Sequence, residues 1–249
     1  MQDSDEIFSR NELYWGKKAQ GLLYSSKVAV FGLGGVGGYC AEALARSGIR
    51  KLIIVDFDKV SSSNINRQLV ALHSTVGMSK AELFEKRLKD INPDIELDVV
   101  DDFYSDGNYK IEADFVADAI DTMRSKITLL EYCVSNKIPV ISSMGAGNRI
   151  APEQLYICDI SEIENKNAPF VSNIIYQLKK KNVTSGITVV ASREKPFCLE
   201  KFSQTEKISL KNGAELEFSK ITPASTPFVA SCAGIFMASY IVRKLLENA

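Results

Sequence analysis

The most informative part of this sequence is Val28-Ala29-Val30-Phe31-Gly32-Leu33-Gly34-Gly35-Val36-Gly37-Gly38. An apolar, β-branched run leads directly into a glycine cluster, and residues 39–46 have the composition of a helix. Strand, tight turn and helix form the context in which a glycine-rich loop binds nucleotide phosphates. Gly32 permits the turn, Gly34 lets the backbone approach a phosphate, and Gly37 allows the helix to pack closely on the strand. The helix N-terminus then offers N–H groups and a positive dipole to the anion.

Strands and helices alternate over the region 27–144. Apolar runs and helical spacings predict strands at 28–31, 51–56, 96–100, 113–121 and 139–143, and helices at 11–23, 39–46, 80–88 and 125–136. Each strand–helix–strand unit implies a right-handed parallel crossover. The predicted fold class is therefore α/β, with a doubly wound, mainly parallel, Rossmann-like sheet whose glycine loop suits a nucleotide.

Beyond Pro152 the pattern changes to a smaller β-rich part followed by a C-terminal helix. Strands are predicted at 154–158 and 186–191, a hairpin at 207–218 with a three-residue turn at 211–213, and a helix from Thr226-Pro227 to about Leu246. We divide the chain into an N-terminal arm and helix (1–26), an α/β nucleotide-binding domain (27–160), and a segment with the hairpin and C-terminal helix (161–249), as one continuous structural unit. The family resemblance described below implies that 27–160 is an ATP-binding adenylation domain and that 161–249 contacts the substrate.

The C-terminal helix contains an uncharged stretch at 228–242. This stretch is shorter than the roughly 18 residues that a membrane span requires, and it is rich in Ala, Ser and Gly. We therefore predict a buried or interface helix and no membrane partner.

Composition narrows the class of protein. The 249 residues are 45% hydrophobic and 24% charged with a formal net charge of −1, so contact with nucleic acid would need a local basic patch. The five cysteines form no CxxC pair, which disfavours structural zinc. Their odd number, without a signal peptide, favours a reducing compartment, and we expect a cytoplasmic location.

Polar residues that suit a nucleotide follow the second and fourth strands. Asp56 ends the second strand, about 20 residues beyond the glycines, where a carboxylate accepts the ribose hydroxyls. Arg67 can hold phosphate oxygens bidentately and Lys80 can supply a point charge, which suits a reaction at a triphosphate. Asp121 ends the fourth strand and suits a magnesium ion that bridges phosphates.

Five motifs together resemble the ubiquitin-activating-enzyme superfamily: Gly32-x-Gly34-Gly35-Val36-Gly37, Asp56-x-Asp58, Asn64-x-x-Arg67-Gln68, Gly77-x-x-Lys80 and Asp118-Ala119-Ile120-Asp121. These proteins adenylate a carboxylate with ATP. The resemblance implies nucleotide contacts from Gly32, Gly34, Gly35, Gly37, Asp56, Asp58, Asn64, Arg67, Gln68, Lys80 and Asp121. It implies Asp56 on the ribose, Asn64, Arg67 and Lys80 on the phosphates, and Asp121 as the Mg²⁺ ligand. Arg67, Lys80 and Asp121 would also be catalytic.

Within that superfamily the chain is most similar to the tRNA threonylcarbamoyladenosine dehydratases, notably in the segments 8–16, 91–103 and 143–160. The resemblance implies adenylation of the threonylcarbamoyl carboxylate next to the tRNA anticodon, followed by cyclisation with loss of AMP. It also implies that Arg10 reaches the phosphates of a neighbouring subunit, and hence a homodimer. Mg²⁺, a monovalent cation and a sulfur-transfer protein complete the expected cofactors and partners.

Three alternatives stay open on the sequence. An adenylyltransferase that activates a ubiquitin-like sulfur carrier is disfavoured by the missing CxxC pairs. A non-catalytic nucleotide-binding module would not need Arg67, Lys80 and Asp121 together, and a dehydrogenase would not need Arg67 and Lys80 at the phosphates.

Contacts with tRNA are expected in the segment 161–220. Its positive charge is concentrated at Lys179, Lys180, Lys181, Arg193, Lys195 and Lys201. Cys198 is the better candidate for a reactive thiol there, whereas Cys232 on the apolar helix is expected in the core.

Overall fold

The computed structural model describes residues 4–105, 110–166, 168–199, 202–209 and 215–247. The helices are α1 Ser4–Ile7, α2 Ser9–Ser25, α3 Gly37–Arg46, α4 Lys80–Ile91, α5 Met123–Ser135, α6 Pro169–Lys180 and α7 Pro227–Leu246. The strands are β1 Lys27–Phe31, β2 Lys51–Val55, β3 Glu96–Val100, β4 Phe115–Asp118, β5 Val140–Ser143, β6 Leu155–Asp159, β7 Thr188–Ser192, β8 Phe202–Ser209 and β9 Glu215–Thr222.

The strands β1 to β7 form one sheet in the order β3-β2-β1-β4-β5-β7-β6. Neighbouring strands pair in parallel except at the edge, where β6 runs antiparallel to β7. The chain order reverses between β1 and β4, and such a switch point opens a crevice at the carboxyl ends of the strands. The predicted doubly wound α/β class is confirmed, and β7 and β6 extend the same sheet.

Helices cover both faces of this sheet. Alternate residues of β1 point to opposite faces: Val28 and Val30 join one apolar cluster, and Ala29 and Phe31 join the other. The first cluster takes residues from α2, α3, α4 and α7, and the second takes them from α5 and α6. A strand buried on both faces explains why 28–31 reads as a continuous apolar run.

Helix α7 packs inside the molecule, mainly on α3. Gly234 is the contact point, because a Cβ there would lie 2.2 Å from the Val36 carbonyl oxygen at the start of α3. By length and composition α7 could cross a membrane, but residues on its inner face, such as Val229 and Ile241, are fully buried in the first cluster. This arrangement is that of a core helix.

Four details differ from the sequence prediction. The helix predicted at 11–23 is interrupted at Gly16, whose φ of +83° is not helical. The strand predicted at 113–121 ends at Asp118, so Asp121 lies beyond it in a loop. Helix α6 was not predicted. The hairpin is longer than 207–218 and pairs Ile208 with Leu216 as expected, while its turn at 211–213 lies outside the described residues.

Candidate functional site

The glycine loop lies where β1 meets α3, at the switch point of the sheet. Gly32 has φ +85°, and a Cβ there would come within 2.8 Å of the Ala119 carbonyl oxygen. A Cβ on Gly37 would lie 1.7 Å from the Gly32 carbonyl oxygen, which explains the requirement for glycine at both positions. Gly34 and Gly35 face two side chains of the next loop, Gln68 and Arg67. The loop therefore lies between the end of β4 and the segment 64–68.

Asp56 follows β2 and is nearly buried. Its carboxylate accepts hydrogen bonds from the backbone N–H groups of Leu33 at 2.5 Å and Asp58 at 2.8 Å. Burial raises the pKa of Asp56 above the ordinary value, although nearby Lys80 and these two N–H groups act in the opposite direction. The carboxylate is thus held against the glycine loop, where a ribose would lie in a Rossmann-like site.

Lys80 begins α4 with Ser79 as its N-cap residue. Its ammonium group is nearly buried and lies 2.8 Å from the Asp58 carboxylate, which is half exposed. A bridge between Lys59 and Ser79 closes the intervening loop. The structure therefore brings Asp56, Asp58 and Lys80 together at the carboxyl end of β2, with Lys80 neutralised by a carboxylate beside the glycine loop.

Arg67 lies beside Gly35 of the glycine loop and near Asp121. Its guanidinium donates to the Ser63 carbonyl oxygen and to the Asn66 side chain, both at 2.9 Å. Burial lowers the pKa of Arg67, and the negative charge of Asp121 partly offsets this effect. A half-buried arginine beside an exposed carboxylate is suited to a polyanion that carries its own cation.

Asn64 and Gln68, the other two predicted nucleotide contacts in the segment 64–68, differ in their hydrogen bonding. The Asn64 side chain accepts from the Ser61 N–H at 3.1 Å and so closes its own turn. Gln68 is buried beside Gly34, and its Oε1 atom has no hydrogen-bond partner among the residues that the structure describes. A buried acceptor without a partner is costly, so this atom is a natural contact for a bound ligand.

Asp121 fits the expected magnesium site in its chemistry. Its exposed carboxylate lies after β4, at the edge of the sheet that holds the glycine loop. Among the described residues, no group of three or more His, Cys, Asp or Glu side chains could hold a metal. Mg²⁺ commonly binds through one or two carboxylates together with substrate phosphates, and this site offers such a carboxylate.

Arg10 lies away from these residues. The next residue, Asn11, donates to the Arg46 carbonyl oxygen at the C-terminal end of α3. The glycine loop is at the other end of that ten-residue helix, about 15 Å away at 1.5 Å per residue. The structure thus does not bring Arg10 to the nucleotide loop of its own chain.

The expected tRNA-contacting cations are partly neutralised. Lys181 pairs with Glu131 at 2.5 Å and Arg193 pairs with Glu164 at 2.8 Å, while Lys180 lies over the ring of Tyr176. Lys201 lies outside the described residues. The positive patch is therefore weaker than the sequence suggests.

Buried polar residues to which the sequence pattern assigns no role lie behind Asp121. Asp118 and Lys126 form a fully buried ion pair at 2.7 Å, and Ser142 donates to Asp118 at 2.6 Å. The feature of the sequence that could have indicated this ion pair is Lys126 on the apolar face of a helix, next to Ile127 and close to Leu130. Such a lysine needs a buried acidic partner.

A second missed feature connects the site to α7. Asn148 pairs with Ala224 through two hydrogen bonds, and the Asn66 side chain donates to the Ser225 carbonyl oxygen at 2.9 Å. Buried Arg149 donates to the carbonyl oxygens of Gly145 and Gly147. The segment that enters α7 is thus fastened between the Arg67 loop and the loop after β5.

Two of the thiols, those of Cys133 and Cys158, are poor candidates for a nucleophile. Burial raises the pKa of Cys133 to about 12 and that of Cys158 to about 11. Cys232 is half-buried and packs against the first apolar cluster, as expected for a core residue of α7.

Comparison with known proteins agrees with this geometry. The ThiF family model matches residues 8–247. The tRNA threonylcarbamoyladenosine dehydratase of Bacillus subtilis (strain 168) is 40% identical over 245 residues, which cover 97% of this chain and 95% of the relative. The Escherichia coli (strain K12) dehydratase is 41% identical over 152 residues, which cover 59% of this chain and 57% of the relative.

A solved structure supports the same conclusion. The crystal structure of the E. coli tRNA N6-threonylcarbamoyladenosine dehydratase in complex with ATP superposes with a TM-score of 0.86 at 29% identity, covering 100% of this chain and 97% of that one. The resemblance to the tRNA threonylcarbamoyladenosine dehydratases is thereby confirmed, and the chain belongs to the ThiF family.

Proposed function

We propose that this protein is an ATP-dependent tRNA threonylcarbamoyladenosine dehydratase. The observation that carries the proposal is the convergence of the glycine loop, Asp56, Arg67, Lys80 and Asp121 at one switch point of the sheet. Relatives of this name align with nearly the whole chain, and a solved relative holds ATP. Asp121 lies near Arg67, and a carboxylate next to an arginine suits a triphosphate that carries its own cation.

Nucleotide binding uses the residues in a fixed order along the crevice. The N-terminus of α3 and the glycine loop receive the phosphates, and Asp56 accepts the ribose hydroxyls. Lys80 exchanges Asp58 for a phosphate oxygen, which transfers its charge to the leaving pyrophosphate. Arg67 and Asn64 hold the same phosphates from the opposite side, and Gln68 supplies its unpaired oxygen to the ligand. Asp121 would hold Mg²⁺, which neutralises phosphate charge when bound.

The reaction has two steps. The threonylcarbamoyl carboxylate attacks the α-phosphorus of ATP, the bond to the β-phosphate bridging oxygen breaks, and pyrophosphate leaves. Arg67 and Lys80 stabilise the charge that develops on this leaving group. The carbamoyl nitrogen or oxygen then attacks the acyl carbon and AMP leaves with the former carboxylate oxygen, so the nucleoside loses one water overall. The intramolecular attack has a high effective molarity and requires no nucleophile from the protein.

We further propose that the protein is a cytoplasmic homodimer that acts on tRNA with Mg²⁺. A monovalent cation and a sulfur-transfer protein are additional components to be tested. Exposed apolar residues support the dimer: Leu13 and Tyr14 on α2 are 87% and 88% exposed, and Phe228 and Ile235 form an exposed stripe on α7. Surfaces of this kind commonly mark contacts with another protein.

Nucleoside mass spectrometry tests the function. The purified protein is incubated with ATP, Mg²⁺ and tRNA that carries linear threonylcarbamoyladenosine. We expect the nucleoside to lose one water, and we expect R67A and D121A to abolish that loss, because each removes a group at the phosphates. E131Q, which breaks a surface ion pair, is the control that retains activity. An unchanged nucleoside, with ATP–pyrophosphate exchange that requires a small carrier protein, would instead establish the sulfur-carrier activity.

A further inference from the structure

Behind Asp121 lies a polar cluster that the proposed mechanism does not use. Asp118 ends β4, Lys126 is on α5 and Ser142 is on β5, so three separate elements contribute to it. All three side chains are fully buried. Lys126 Nζ lies 2.7 Å from Asp118 Oδ2, and the Ser142 hydroxyl donates to the same oxygen at 2.6 Å. We call these residues the buried triad.

The buried triad holds both ends of Ile120, the residue immediately before Asp121. Asp118 Oδ1 accepts the Ile120 N–H at 3.1 Å, and Lys126 Nζ donates to the Ile120 carbonyl oxygen at 3.0 Å. That carbonyl belongs to the peptide bond that joins Ile120 to Asp121. Because a peptide unit is planar, fixing its oxygen fixes the plane from which Asp121 starts.

The same loop is also bound to the glycine turn. The Ala119 N–H donates to the Phe31 carbonyl oxygen at 2.8 Å, and the Ala119 carbonyl leaves no room for a side chain on Gly32. The loop 119–121 is therefore fixed on one side by the glycine turn and on the other by the buried triad. The Asp121 side chain itself remains exposed in the crevice.

Stability alone does not account for the buried pair. The attraction between two buried charges is largely cancelled by the loss of their hydration, and apolar residues of similar size often stabilise a core as well or better. A buried network of this kind does, however, specify one arrangement of the backbone around it.

We propose that Asp118 and Lys126 are positioning residues that set the Asp121 carboxylate for the metal–triphosphate complex. The inference deepens the proposed function and rests on the role of Asp121 there. The Lys126 ammonium acts through the Ile120–Asp121 peptide and does not touch the nucleotide. Residues that orient a metal ligand from behind commonly change metal affinity 10- to 100-fold when they are replaced.

The experiment measures ATP binding by isothermal titration calorimetry with and without Mg²⁺, so it needs neither tRNA nor turnover. The main variant is D118N/K126M, which removes the donor to Ile120 without leaving an unpaired buried charge. We expect the tightening of ATP binding by Mg²⁺ to fall about tenfold in this variant and in D121N. In the triple variant D118N/K126M/D121N, the loss of the Mg²⁺ effect should be no larger than in D121N alone. The reason is that D118N/K126M and D121N act through the same carboxylate. ATP binding without Mg²⁺ should change little.

One control and one milder variant separate a positioning role from a loss of folding. E131Q lies on the same helix α5, breaks the exposed pair with Lys181, and should leave the Mg²⁺ effect unchanged. S142A keeps the ion pair and removes one hydrogen bond, so it should reduce the Mg²⁺ effect about twofold. This milder variant carries the test if D118N/K126M does not fold.

The outcomes are distinct. If D121N weakens the Mg²⁺ effect while D118N/K126M or S142A leaves it unchanged, the positioning role is wrong and the proposed function stands. Losses that multiply in the triple variant would also overturn the inference, since they would show separate effects. If D121N has no effect, the metal role of Asp121 fails and the inference fails with it, and mass spectrometry of the tRNA nucleoside decides the function separately.

Discussion

At the scale of single residues, two glycines of this chain have opposite requirements. Gly37 begins α3, and a methyl group there would overlap the Gly32 carbonyl oxygen at 1.7 Å. Gly21 lies in α2, and apart from its own stretch of helix no atom of the described residues lies within 4 Å of an added Cβ. We expect G37A to lose ATP binding and about 3 kcal/mol of the free energy of unfolding, because both the loop and the helix must move. Urea unfolding and calorimetry with ATP measure these losses.

The matched control for this prediction is G21A. A helical glycine without steric conflict gains about 0.5–1 kcal/mol of stability when it is replaced by alanine, since the unfolded chain has less freedom to lose. G21A should therefore be more stable than the wild type and bind ATP equally well. If G37A and G21A behaved alike, the close packing of the glycine loop would not be what Gly37 provides.

At the scale of elements, Glu42 joins the helix of the glycine loop to its neighbour. It lies on α3 and accepts from Arg87 of α4 at 2.5 Å and from Arg46 at 2.9 Å. Burial of Glu42 favours its neutral form, but the two arginines together outweigh this effect, so the pKa of Glu42 lies below its usual value. A carboxyl with a lowered folded-state pKa stabilises the protein above its unfolded-state pKa of about 4.3, and this contribution disappears as the pH falls through the folded-state pKa.

The corresponding substitution is E42Q. We expect it to reduce the free energy of unfolding by about 1 kcal/mol at pH 7. The difference from the wild type should narrow as the pH falls toward 4 and below. E85Q, which breaks the exposed pair with Lys89 inside α4, serves as the comparison and should cost about 0.3 kcal/mol. Urea titrations of the three proteins at several pH values measure the differences, and a gap between E42Q and wild type that does not vary with pH would contradict the prediction.

The elements also show what the sequence could predict. The run 28–31 with its glycines, the helix predicted at 80–88 and the Pro227 start of α7 are local patterns, and the structure contains all three, the helix continuing to Ile91. Helix α6 was missed because polar residues dilute its apolar spacing, although Val171, Ile174 and Leu178 recur at helical intervals after Pro169. The break in α2 at Gly16 was missed because apolar periodicity does not report backbone angles.

The candidate site was predictable to a different extent. Asp56 follows β2, Lys80 begins α4, and Arg67 and Asp121 lie in the loops after β2 and β4, so their types and places could be read along the chain. Their partners could not: the Lys80–Asp58 contact and the buried triad join residues from different elements. The first contact follows from how α4 packs on the loop after β2, the second from how β4, β5 and α5 pack, and no local pattern encodes either arrangement.

At the scale of the whole molecule, the N-terminal arm bears on how many subunits make one site. Arg10 lies near the C-terminal end of α3, whereas the phosphates would bind at its N-terminal end. The two ends of α3 are about 15 Å apart, which is farther than one side chain can span. An Arg10 that acts at the phosphates must therefore act on another subunit. Exposed Leu13 and Tyr14 give the same arm an apolar surface for that contact. If Arg10 acts on the neighbouring subunit, each subunit of a twofold dimer completes the site of the other.

Mixing two inactive variants tests this arrangement. R10A retains its own Arg67, and R67A retains its Arg10, so a mixed dimer contains one complete site if Arg10 acts across the interface. After unfolding and refolding of an equal mixture, we expect about a quarter of the wild-type sites to be active, because half of the dimers are mixed and each has one intact site. Mass spectrometry of the tRNA nucleoside, which detects the loss of one water, measures the recovered activity. R67A refolded alone is the control and should stay inactive. Recovery no greater than the R10A and R67A proteins show separately would mean that Arg10 serves its own subunit or no site at all.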